Sequence, residues 1–130
     1  MRLFTIFLSI AIYCSFLGCT KDEVLVAEYL TNRSSKTWNL KSLYINDAKQ
    51  TLTPAQRIYT KTYKTDLTWV DSDGYNGTFT VDGKTALHET TENATGGPVT
   101  IDYSITNIQT TYFSIEYTLN QDRYKFVYEQ

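Results

Sequence analysis

GTFTVDGKTALHETT, residues 77–91, decides the fold. Phe79 and Val81 alternate with Thr78 and Thr80, the period of two that a half-buried β-strand requires. Asp82-Gly83 is the commonest hairpin dipeptide, because both residues tolerate positive φ. Thr85 to Thr91 then returns as a second strand. Strand neighbours point to opposite faces, so His88 and Glu89 cannot act as one acid–base pair; His88 is expected at an exposed or edge position. Downstream, Asn93 to Pro98 is a Gly-rich loop, and Val99, Ile101, Tyr103 and Ile105 form an apolar face against Thr100, Asp102, Ser104 and Thr106. Phe113, Ile115, Tyr117 and Leu119 form another. Asn120-Gln121-Asp122 turns the chain into Arg123 to Glu129, where Tyr124, Phe126 and Tyr128 share a face.

Upstream of the hairpin, Asp71-Ser72-Asp73-Gly74 is a strong turn signal. It resembles half a calcium loop but lacks the further ligand before the Gly and the Glu beyond it, so it reads as a turn. Tyr59 to Tyr63 and Leu67 to Val70 are strands around Lys64-Thr65-Asp66. Trp38 to Ile45 alternates until its phase slips by one, which predicts a bulge near Ser42. Asn46-Asp47 is a turn. Thr53-Pro54 sets an N-cap residue before a proline at the first helical position, predicting one helical turn over Pro54 to Ile58. Asp22 to Asn32 reads as a short helix with acids at its start. The result is about eight short strands at spacings of roughly 8–12 residues, an all-β meander closing as a sandwich or a barrel. Crossover helices have no room, so the sheet is antiparallel.

Composition narrows the function. The 130 residues allow one domain. A net charge of −2 argues against nucleic acid, which needs a basic field. One His and two Cys cannot supply a four-ligand zinc site. No nucleophile elbow accompanies His88 and no Gly-rich phosphate loop follows a strand, so neither an enzyme nor a cofactor or metal site is expected.

The N-terminus is of another kind. Met1-Arg2 precedes an apolar run from Leu3 to Leu17, too short for a membrane span of roughly 20 residues and suited to a secretory signal. Its end, Phe16-Leu17-Gly18-Cys19, resembles a bacterial lipoprotein box, which implies cleavage before Cys19 and a lipid on that cysteine. Thr20-Lys21-Asp22-Glu23 resembles the tag that exports some Gram-negative lipoproteins to the outer face of the outer membrane; the periplasmic face is the alternative. The expected organisation is a signal peptide over 1–18, a lipidated tether with a short helix over 19–35, and the β domain over 36–130. Cys14 leaves with the signal, so the mature chain has no disulfide.

Ser34-Ser35-Lys36-Thr37-Trp38-Asn39-Leu40, the Tyr63-Lys64-Thr65-Asp66 hairpin and the Gly77 to Val81 strand together resemble bacterial lipocalin-like lipoproteins, from about Ser34 to the C-terminus. The resemblance implies a small antiparallel up-and-down barrel. It implies that Trp38 seals the closed end, with Arg123 stacked on it, although Lys36 stands where the family has Gly. It further implies that inward aromatics (Tyr63, Trp69, Phe79, Tyr103, Tyr117 and Tyr124) bind a small apolar or amphipathic ligand. The bland reading of those six is core filling, each hydroxyl with a partner. An eight-stranded barrel is only just wide enough to be filled by its own side chains, so both readings stay open at this point. The expected protein is a monomeric, membrane-anchored binding module; the alternative is an interaction lipoprotein accessory to an outer-membrane complex, with no small ligand.

Overall fold

The computed structural model describes residues 21–130. The signal segment and Cys19 lie outside the described residues. Helix α1 spans Lys21–Thr31 and a short helix α2 spans Pro54–Arg57. The strands are β1 Ser35–Ile45, β2 Ala48–Lys49, β3 Thr60–Lys64, β4 Thr68–Asp71, β5 Asn76–Asp82, β6 Ala86–Thr91, β7 Val99–Ile108, β8 Tyr112–Leu119 and β9 Asp122–Glu129. Each strand from β3 onward pairs antiparallel with the next, and β1 pairs with both β3 and β9. The sheet therefore closes as an eight-stranded up-and-down barrel, with β2 an extra strand on β1.

Closure depends on a bulge. β1 uses Ser35 to Asn39 for β3 and Asn39 to Ile45 for β9, and its register slips between Leu40 and Ser42. One extra residue there bends and twists the strand, which lets it serve two neighbours. Tight turns set the other registers. Asn46-Asp47 and Asn120-Gln121 both take positive φ, the pairing a two-residue hairpin needs. Asp82 stays in β5 opposite Ala86, so the β5–β6 loop is the three residues 83–85. The α2 capping box is complete: the Thr53 hydroxyl accepts from the Gln56 amide and the Gln56 side chain accepts from the Thr53 amide.

Helix α1 lies across one end. Its last four carbonyls have no partner within the helix, and each finds one here. The Asn32 amide donates to Glu28, Lys36 Nζ to Tyr29, Trp38 Nε1 to Leu30 and the Ser34 amide to Thr31. Val26 and Leu30 of α1 are buried with Trp38, Tyr63, Phe79 and Phe113 in one core. Trp38 meets Phe113 edge-on at 4.7 Å, and Phe113 stacks on Tyr128 at the same distance. The barrel interior beneath α1 is filled by these side chains, and a groove of about 370 Å³ lies outside it between α1 and the β3–β4 turn, lined by Val24, Ala27, Thr31, Thr65 and Leu67. Among the described residues no helix is long and apolar enough to cross a membrane.

Candidate functional site

The other end carries the β1–β2, β4–β5, β6–β7 and β8–β9 turns together with α2. Here the interior is not filled. A cavity of about 290 Å³ is lined by Lys61, Trp69, Asp71, Glu89, Val99, Ile101 and Tyr103. A second, of about 230 Å³, shares Lys61 and Tyr103 with it and adds Tyr59, Asp73, Phe126 and Tyr128.

The polar centre of this mouth is an ion pair. Lys61 is 5% exposed and Glu89 3%. Lys61 Nζ stands 2.6 Å from Glu89 Oε2, while the Tyr63 hydroxyl donates to Glu89 Oε1. The same ammonium lies over the Trp69 ring, 4.3 Å from its centroid. Alternation explains the placement: Lys61 is in phase with Tyr63, and Glu89 with Leu87, so both charges point inward. Removing two charges from water costs several kcal/mol each; mutual attraction, the Tyr63 hydroxyl and the indole face offset that cost. A second polar point is Asp71. Its Oδ2 accepts the Tyr59 hydroxyl at 3.0 Å, and its Oδ1 accepts the Asp73 and Tyr75 amides, which makes the Asp71–Gly74 turn.

Burial raises the pKa of the Tyr59, Tyr63, Tyr103 and Tyr128 hydroxyls. The nearby carboxylates push the same way, Asp71 on Tyr59 and Glu89 on Tyr63 and Tyr103. The hydroxyls stay protonated, and those of Tyr59 and Tyr63 donate to Asp71 and Glu89.

The barrel wall is open beside the mouth. The β7–β8 ladder runs from Ile108↔Phe113 to Ser104↔Glu116. Above it, β7 from Val99 to Tyr103 pairs with β6, and β8 from Tyr117 to Leu119 pairs with β9. A cleft of about 450 Å³ lies between those strand ends, and it shares Val99 and Ile101 with the mouth. Val99 and Leu119, at 48% and 51% exposure, stand on its two sides.

The aromatics expected at the site divide. Trp69 and Tyr103 line the mouth cavity and Tyr117 lines the cleft. Tyr124 stacks on Tyr117 at 5.3 Å. Tyr63 and Phe79 sit edge to face at 5.1 Å and are fully buried, with the Tyr63 hydroxyl reaching the mouth at Glu89. Trp38 is buried under α1. Arg123 does not stack on it: Arg123 pairs with Asp47 at the β1–β2 turn, and the cation over the Trp38 ring, 4.1 Å from its centroid, is Lys36. The reason is local, since Lys36 also donates to the Tyr29 carbonyl of α1 and to the Thr110 carbonyl, while Arg123 lies at the start of β9 at the other end of the barrel. His88 is partly exposed and pairs with Asp102 at 2.6 Å on the outer face, opposite in direction to Glu89. Sequence reading weighed Asp71 as part of a half calcium loop and Glu89 as a partner of His88, set both aside, and did not consider Lys61; the signal was a charge in phase with an apolar face.

Among the described residues no group of three or more His, Cys, Asp or Glu could hold a metal ion. Comparison with family models, curated proteins and solved structures finds no match to the chain.

Proposed function

We propose that this chain is a lipid-anchored binding module of the bacterial cell envelope. The barrel mouth holds a small apolar or amphipathic molecule, and the chain binds without catalysing a reaction. The observation that carries this reading is the uneven interior. The interior beneath α1 is filled by side chains, with a groove of about 370 Å³ outside it against α1, and the other end opens into cavities beside a buried Lys61–Glu89–Tyr63 group with aromatic walls. Ligand sites take this form: a concave, mostly apolar surface with a few convergent polar groups. The lipocalin-like resemblance supports it from the sequence side.

In the same reading Cys19 carries the lipid and the barrel stands on the outer membrane, exposed at the cell surface. Only residues 20 and 21 separate Cys19 from Asp22 in the first turn of α1, so the helix-capped end faces the bilayer and the mouth faces away. Native mass spectrometry of protein taken from its own host is the test. It should show an acyl mass that a Cys19→Ser variant lacks, and a co-purified small molecule of defined mass. A bare chain with no acyl group and no companion would overturn both halves.

A second reading, an accessory protein that works by protein contact, is favoured by one feature: the unpaired strand edges of the cleft could accept a partner's strand. A stoichiometric protein partner in a pull-down from intact cells supports it.

A further inference from the structure

We propose that the mouth takes a single-tailed cation, an amphiphile whose head is an amine or quaternary ammonium and whose tail leaves through the β7–β8 cleft. This rests on the mouth being a small-molecule site and adds the sign and shape of the ligand.

The charge balance favours a cation. Asp71, Asp73 and Glu89 line the two mouth cavities, and Lys61 is the only base among the described residues that do. Lys61 is already paired with Glu89 at 2.6 Å. The carboxylates of Asp71 and Asp73 therefore stand in excess. Asp71 Oδ2 accepts one hydrogen bond, from Tyr59, and a carboxylate oxygen can accept about two. An anionic head would have to compete with Glu89 for Lys61 while lying beside Asp71, which faces Lys61 directly across β3 and β4.

The walls agree with the charges. Ring faces carry negative potential and attract cations, most strongly when water is excluded. Trp69, Tyr75 and Tyr103 line one cavity, and Tyr59, Phe126 and Tyr128 the other. The protein's own ammonium, Lys61 over Trp69, is an instance of the contact within the mouth.

The cleft supplies a place for the tail. It joins the mouth through Val99 and Ile101 and is apolar at Ile101, Tyr117 and Leu119. An apolar chain there removes the exposed faces of Val99 and Leu119 from water.

Probes of one tail length test the head. Hexylammonium, hexanoate and hexanol are titrated into the full protein in lipid nanodiscs, with empty nanodiscs as reference. Hexylammonium should bind saturably and at least tenfold more tightly than the other two. Asp71→Asn removes the charge but keeps one acceptor oxygen, enough for either the Tyr59 hydroxyl or the Asp73 and Tyr75 amides; it should weaken hexylammonium at least fivefold more than it weakens hexanol. Hexanoate or hexanol binding as well as the amine would overturn the sign and leave the mouth a binding site. No saturable binding by any of the three would overturn the mouth itself. Ethylammonium, with the same head and almost no tail, should bind at least tenfold more weakly than hexylammonium; equal affinity would remove the tail from the cleft.

Discussion

Lys61 and Glu89 are charges on barrel faces that are otherwise apolar, and they hold each other there. Removing one partner of a buried pair leaves an uncompensated charge, at about 3–5 kcal/mol, whereas replacing both by apolar groups of similar volume is close to neutral. Lys61→Met and Glu89→Leu alone should each lower unfolding free energy by about that much in a urea titration, and the double variant should regain most of it. Losses that simply add would contradict the pairing. The inward direction of both side chains was legible, because each is in phase with apolar neighbours in its strand. Their partnership was not, because β3 and β6 are separated by two strands and meet only across the interior. Arg123 shows the reverse error: a family pattern pointed to Trp38, but the turn acid Asp47 lies nearer in the fold.

The buried tyrosines carry a pH consequence. Burial raises Tyr59, Tyr63, Tyr103 and Tyr128 above the ordinary tyrosine value of about 10. A group whose folded pKa is raised stabilises fully below its unfolded pKa and loses that contribution as pH rises toward the folded value. Unfolding free energy should therefore not fall on account of these groups between pH 7 and 9. Above about pH 10 it should decline, by up to about 1.4 kcal/mol per pH unit for each such tyrosine. Absorbance of tyrosinate recorded beside the unfolding signal checks this: these hydroxyls should ionise only as the barrel opens. Early ionisation of all tyrosines would count against their burial.

At the scale of elements, alternation located the eight barrel strands, the Thr53-Pro54 cap and the acid-led apolar segment from Asp22 located the helices, and the phase slip located the β1 bulge; the shift in β7 between Ile105 and Asn107 was not legible. Strand faces follow from local sterics, so they can be read from one segment at a time. How far a ladder extends cannot, since it depends on the neighbour. β7 and β8 both carry alternating residues toward the mouth, yet their ladder, after a register shift between Ile105 and Asn107, stops at Ser104↔Glu116 and leaves the cleft. Gly77 is a second such case. A Cβ there would come within 1.7 Å of the Thr90 carbonyl oxygen, so β5 and β6 approach where only glycine fits. Gly77→Ala should destabilise the barrel by about 1–3 kcal/mol through a forced backbone shift, measured by thermal unfolding. An unchanged melting temperature would mean that the strands can part at no cost.

The whole molecule is a barrel with unequal ends. Helix α1 closes one, with Trp38 beneath it; the other opens above Lys61 and Glu89, with Trp69 at its wall. Composition and spacing led to an antiparallel meander, sandwich or barrel, and the lipocalin-like resemblance implied the barrel; hollow and filled barrels stayed equal, because both have the same strand pattern and the difference lies in which inward side chains meet across the axis. The two tryptophans of the chain mark the two ends, and their indole N–H groups have distinct acceptors, Leu30 for Trp38 and Thr78 for Trp69. The two indole resonances in a ¹H–¹⁵N spectrum, followed while hexylammonium is added, therefore test the account directly. The Trp69 signal should move and saturate at one equivalent while the Trp38 signal stays in place; a stationary Trp69 signal, or a shift confined to Trp38, would contradict it.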